Sequence, residues 1–149
     1  MRGDIASLVE QLEKAATGSR QLDGDICQTL GGKLWGRRST LTGRHQWMTE
    51  VDGLPKLLPA FTTSLDAALS LKERELPGML VENLGEMRDS GFLTGNWLCQ
   101  LGPRAPRKRL TELSAAGIRA TLDADPLVSA PTPALALCIA TLTFMKLQS

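Results

Sequence analysis

A chain of 149 residues with 42% hydrophobic and 22% charged residues has the size and balance of one ordinary globular domain, which excludes a disordered, fibrous or collagen-like protein. Seventeen Lys plus Arg against sixteen Asp plus Glu leave a formal charge of +1, so no overall field draws it to nucleic acid or to an acidic membrane. Any charged partner has to be met by a local cluster.

In chain order, Ile5, Leu8, Val9, Leu12 and Ala16 recur at helical spacing behind an Asp4 cap, predicting a helix over residues 4–17 with Gly18 as its stop. Met1 to Asp4 carry no basic n-region followed by an apolar run, as a secretion signal would need, and a cytosolic protein is expected. A second helix starts at Ser19, with Leu22, Ile26 and Leu30 on one face and Gly31-Gly32 at its end, so the two read as a helical hairpin. Residues 33–60 have no clean period and read as a long loop, or a loop with short strands, anchored by Trp35 and Trp47. Thr63-Ser64-Leu65-Asp66 fits a capping box with Thr63 as the cap, followed by a helix to about Lys72. Met79-Leu80-Val81 is too short to separate strand from helix.

Trp97, Cys99 and Leu101 alternate with Leu98 and Gln100, predicting a strand that begins after a Gly95-Asn96 turn and ends at Gly102-Pro103. Arg104 to Arg109 form a basic loop, Leu110 to Ala116 one or two helical turns, and Ile118, Ala120 and Leu122 a half-exposed antiparallel strand. The last helix has Thr132 as cap and Pro133 at its first position. Leu135, Cys138, Ile139 and Leu142 lie on one stripe and Leu137 and Phe144 on another, so it should be the most buried element. Its apolar run is too short to span a bilayer. Few strands among several helices, without a repeating βα rhythm, give an α+β class.

Three blocks carry a family resemblance: Leu8 to Asp23 (LVEQLEKAATGSRQLD), Thr62 to Leu69 (TTSLDAAL), and Ala130 to Ala140 (APTPALALCIA). In this order they resemble the phage ABA sandwich domain, a group of small phage and prophage proteins, with residues 1–30, 54–71 and 128–142 matching in turn. The resemblance implies a small α-β-α sandwich with a short, mainly antiparallel sheet, and a phage or prophage setting. It implies no catalytic residues.

The chemistry-bearing residues are sparse. Three distant cysteines, Cys27, Cys99 and Cys138, with the single His45 do not make a zinc set, and they read as reduced, buried thiols. Gly32-Lys33 lacks the other residues of a phosphate-cradling loop, and no dinucleotide-binding Gly pattern follows a strand. His45 could serve Ser39 or Thr42 as a base, but its polar loop setting favours a plain surface residue. Asp23 with Asp25 and Glu73 with Glu75 are paired carboxylates two apart, which on helices face different ways and read as solvated side chains. No metal, cofactor or membrane association is expected.

Two basic clusters remain as candidate binding residues: Arg37, Arg38 and Arg44 beside Trp35 and Trp47, and Arg104, Arg107, Lys108 and Arg109. Arg beside Trp suits protein hot spots and also phosphate gripping with base stacking. The expectation is a non-catalytic accessory protein that occupies a protein partner, such as a host-defence component of the CRISPR type, with nucleic-acid binding as the alternative.

Overall fold

The structure is a computed structural model and describes residues 4–89, 92–103 and 127–148. The expected basic loop at Arg104 to Arg109, the helical turns at Leu110 to Ala116 and the strand at Ile118 to Leu122 lie outside these residues.

Helix α1 (Ile5–Lys14) starts where Asp4 Oδ1 accepts the N–H groups of Ala6 at 3.0 Å and Ser7 at 3.3 Å, satisfying donors that have no partner inside a first turn. It buries Leu8, Val9 and Leu12 and stops at Ala15, earlier than the apolar spacing suggested, because Ala15 turns extended. Gly18 is therefore not a helix stop. A Cβ there would lie 2.1 Å from the Thr62 carbonyl oxygen, so the chain needs glycine to pass that close. Helix α2 (Arg20–Thr29) is capped by Ser19, whose Oγ accepts the Leu22 N–H at 3.2 Å, and ends before Gly31 at φ 86°.

Residues 33–60, expected as a long loop or a loop with short strands, hold a three-stranded antiparallel sheet in the order β1-β2-β3: β1 (Trp35–Arg38), β2 (His45–Val51) and β3 (Leu54–Leu57). Between β2 and β3, Asp52 and Gly53 both take positive φ, 53° and 79°, as a two-residue hairpin turn requires. The sheet meets α2 where Cys27 Sγ and Thr49 Oγ1 approach to 3.3 Å in the interior. Helix α3 (Leu65–Glu75) follows, capped by Ser64 rather than Thr63: Ser64 Oγ accepts the Ala67 N–H at 3.3 Å. Near its end the buried Lys72 ion-pairs with Glu73 and donates to the Met79 carbonyl at 2.6 Å, tying the helix to the next strand.

Met79-Leu80-Val81 opens β4 (Met79–Asp89), which pairs with β5 (Phe92–Pro103), and β5 pairs with β6 (Leu127–Ala130), all antiparallel. Gly95-Asn96 is an irregularity inside β5, at Gly95 φ 81° and a register shift opposite β4, where a turn was expected. Cys99 and Leu101 point into the core as the alternation predicted, with Trp97 packed partly against it. Gln100 is buried too, accepting from Asn83 Nδ2 at 2.8 Å.

Helix α4 (Pro133–Gln148) is capped by Thr132, whose Oγ1 accepts the Leu135 N–H at 3.2 Å. Every residue from Ala134 to Leu142 is buried. The helix packs on α1, α3, β4, β5 and β6 and so forms the centre of the molecule. The α+β class, the N-terminal helical pair, the antiparallel pairing and the buried last helix are as the sequence indicated. The described strands divide into two sheets of three, where one short sheet was expected.

Candidate functional site

The first basic cluster is a hairpin. Strands β1 and β2 pair Trp35 with Met48, Gly36 with Trp47, Arg37 with Gln46 and Arg38 with His45. Residues 39–44 close the turn with their own hydrogen bonds: Ser39 N–H donates to the Arg44 carbonyl at 2.8 Å, and Ser39 Oγ accepts from Leu41 and Thr42 at 3.2 and 3.3 Å. Leu41 at the tip is 95% exposed. Because side chains alternate along a strand, Trp35 and Arg37 share one face, while Arg38, His45 and Trp47 share the other.

Arg37, Arg38 and Arg44 are exposed and have no ion-pair partner among the described residues. Lys33, nearby in sequence, is engaged with Glu50 at 3.0 Å. The sheet and its approach carry Lys33, Arg37, Arg38, Arg44 and Lys56 against Glu50 and Asp52, a basic surface on a chain of almost no net charge. At the hairpin's end Arg37, Arg38, Leu41, Gln46 and Leu57 line an open cavity of about 270 Å³. A cleft of about 310 Å³ runs between Trp47 and α2, floored by Leu34 and Gly24 and rimmed by Arg20, Gln21 and Asp25.

The aromatic residues are less free than the sequence suggested. Trp35 is half-buried, and Trp47 is 39% exposed and meets the His45 ring edge-on at 4.9 Å between centroids. His45 also lies over Gly36, where a Cβ would come 2.4 Å from its ring. It is a packing element of the hairpin. Ser39 Oγ is engaged by the Leu41 and Thr42 N–H groups and serves the turn.

Of the paired carboxylates, Asp23 is not a solvated side chain as expected but fully buried. Its Oδ1 accepts the Thr62 N–H at 2.9 Å and lies 2.7 Å from Thr62 Oγ1, and its Oδ2 accepts from Arg20 at 2.8 Å. Burial of a charge is tolerated here because each oxygen is satisfied. Arg20 in turn reaches the Leu58 carbonyl at 2.7 Å, so the network pins α2 to the segment before α3. Glu73 and Glu75 pair with Lys72 and Arg74. Among the described residues no three His, Cys, Asp or Glu side chains converge as metal ligands would, and no helix is long and apolar enough to cross a membrane. Arg104, Arg107, Lys108 and Arg109 lie outside the described residues.

All three thiols are free and buried. Cys138 Sγ donates to the Phe61 carbonyl at 3.1 Å. Burial pushes the Cys99 thiol from 9.0 up to about 12, and it raises Cys138 further, helped by the nearby Asp23 and Cys99. In the unfolded chain these thiols ionise at ordinary values, so their contribution to stability is full below about pH 9 and is lost as pH rises toward about 12. Urea melts are expected to show stability falling above about pH 9 by about 1.4 kcal/mol per unit for each such thiol. Cys99→Ala should remove roughly half of that slope. An unchanged slope in the variant would mean that other groups set the alkaline limit.

No family model, no curated protein and no solved structure matches the chain.

Proposed function

We propose that this chain is a non-catalytic binding protein that holds a protein partner through the basic hairpin of β1 and β2. The observation that carries this is the set of exposed guanidinium groups of Arg37, Arg38 and Arg44, without an ion-pair partner among the described residues, around the exposed Leu41. Arg and apolar side chains on an ordered loop are what partner recognition uses, and exposed charges without intramolecular partners contribute little to stability. An acidic protein surface complements them. A nucleic-acid strand fits less well, because Arg37 and Arg38 face opposite ways and the Trp47 ring is engaged by His45. The phage or prophage setting, with a host-defence component as the partner, belongs to this proposal and rests on the order of the three sequence blocks alone.

The test is affinity purification from host cells, wild type beside Arg37→Glu/Arg38→Glu/Arg44→Glu. A single protein should co-purify with the wild type, and its recovery should fall about tenfold or more in the variant, whose melting temperature should stay within a few degrees. Reversing Arg104, Arg107, Lys108 and Arg109 in a second variant ranks the two basic segments. Saturable binding of a labelled oligonucleotide with a steep salt dependence, and no protein partner, would overturn the proposal in favour of nucleic acid.

A further inference from the structure

The hairpin's ladder tells which backbone groups point outward. In an antiparallel pair, hydrogen-bonded residue pairs alternate with non-bonded ones. Ser39 N–H donates to the Arg44 carbonyl, so with the register of β1 on β2 the next bonded pair is Arg37 with Gln46. Gly36 and Arg38 then turn their N–H and C=O away from β2. The opposite side agrees: Trp47, across from Gly36, uses its carbonyl to accept from Leu58 N–H at 2.9 Å, toward β3.

The same alternation applied to β3 turns Pro55 and Leu57 outward. Proline has no N–H, and a proline at an outward position is a common guard against added strands. One edge of the sheet thus lacks a donor at Pro55. The other edge keeps both donors: Gly36, Arg37 and Arg38 are exposed, and among the described residues β2 is the only neighbour of β1.

Charge then selects what can lie there. Arg37 and Arg38 leave β1 on opposite faces, so a ligand lying on one face of the sheet meets them unequally. A chain running along the edge in the plane of the sheet meets both, because its own successive side chains alternate in step. A second copy of β1 would set Arg against Arg, which is unfavourable across a ladder, whereas Asp or Glu there is favourable.

We propose that the β1 edge accepts an extended acidic segment of the partner protein as an added strand, hydrogen-bonded to Gly36 and Arg38, with one carboxylate against Arg37 and the next against Arg38. This rests on the hairpin being the partner-binding surface and adds how the partner is held. Strand addition is a general mode of peptide recognition.

The probe is a blocked synthetic peptide, Thr-Val-Glu-Glu-Val-Thr, titrated into the full isotope-labelled chain, beside a Lys-Lys counterpart and a Glu-Glu version N-methylated on its ladder-forming amides. The Glu-Glu peptide should bind saturably and slow amide exchange at Gly36 and Arg38 by about tenfold or more, while Trp35 and Arg37, already bonded to β2, change little. Both control peptides should bind about tenfold more weakly or worse. Equal binding of the N-methylated peptide, binding without slowed exchange at Gly36 and Arg38, or no saturable binding would each overturn the proposal. Should it fail while charge reversal of the hairpin still abolishes co-purification, side chains alone hold the partner and only strand addition falls. Should the peptide add to the edge while co-purification ignores charge reversal, the edge site stands and the hairpin loses its place as the partner's surface.

Discussion

Leu135→Ala or Ile139→Ala is expected to cost about 2–5 kcal/mol, a large part of the roughly 5–15 kcal/mol that holds a domain together. Both side chains are fully buried in α4, which packs on α1, α3 and the β4-β5-β6 sheet. Close-packed neighbours relax only partly around a cavity opened there. Thermal unfolding should show a drop of about 5–15 °C for either variant. A variant as stable as the parent would mean that α4 is not the structural centre and that its apolar surface is free for another use.

Asp23→Ala should destabilise the fold by about 1–3 kcal/mol, since it orphans the buried Thr62 N–H, while the Thr62 hydroxyl keeps Ser19 as its partner. Asp23→Asn keeps an acceptor for Thr62 but loses the charge that Arg20 pairs with, and should cost about 1–2 kcal/mol. Arg20→Ala should cost less than Asp23→Ala, because Arg20 is part-exposed and water can take its place at the carboxylate. Urea denaturation of the three variants gives the order directly. If Asp23→Ala and Arg20→Ala cost the same, the ion pair rather than the Thr62 contacts would be the main term.

Caps and helix faces were legible in the sequence because they are local. Asp4, Ser19 and Thr132 cap where a short polar side chain precedes an apolar period, and Pro133 marks a first turn. The first sheet was legible only as the alternative of short strands in a loop, although Asp52-Gly53 is a strong hairpin signal, because its outer strands are short and interrupted by Gly36 and Pro55, so no run of alternation builds up. Asp23 was misread for a different reason. What buries it is Thr62, far away in sequence, and the only local trace of that contact is Gly18, whose missing side chain lets the two segments close. In the hairpin, the sequence named Arg37, Arg38, Arg44, Trp35 and Trp47 as a group. It could not tell that the two adjacent arginines face apart, since this follows from strand pairing.

The central position of α4 also governs the order of events during synthesis. Its neighbours α1, α3, β4 and β5 precede it in the chain, and the residues that cover their apolar faces leave the ribosome after them. Until Pro133 to Gln148 emerge, Leu8, Leu12, Leu71 and Leu101 lack the largest part of the core they join, and the nascent chain offers them to chaperones or to one another. Closure then brings the first helix against the last, a contact of long sequence separation that makes folding slow relative to a local helical bundle. Ribosome-stalled chains that stop short of α4 should therefore remain open to protease along their whole length, and acquire resistance in one step once α4 is clear of the exit tunnel.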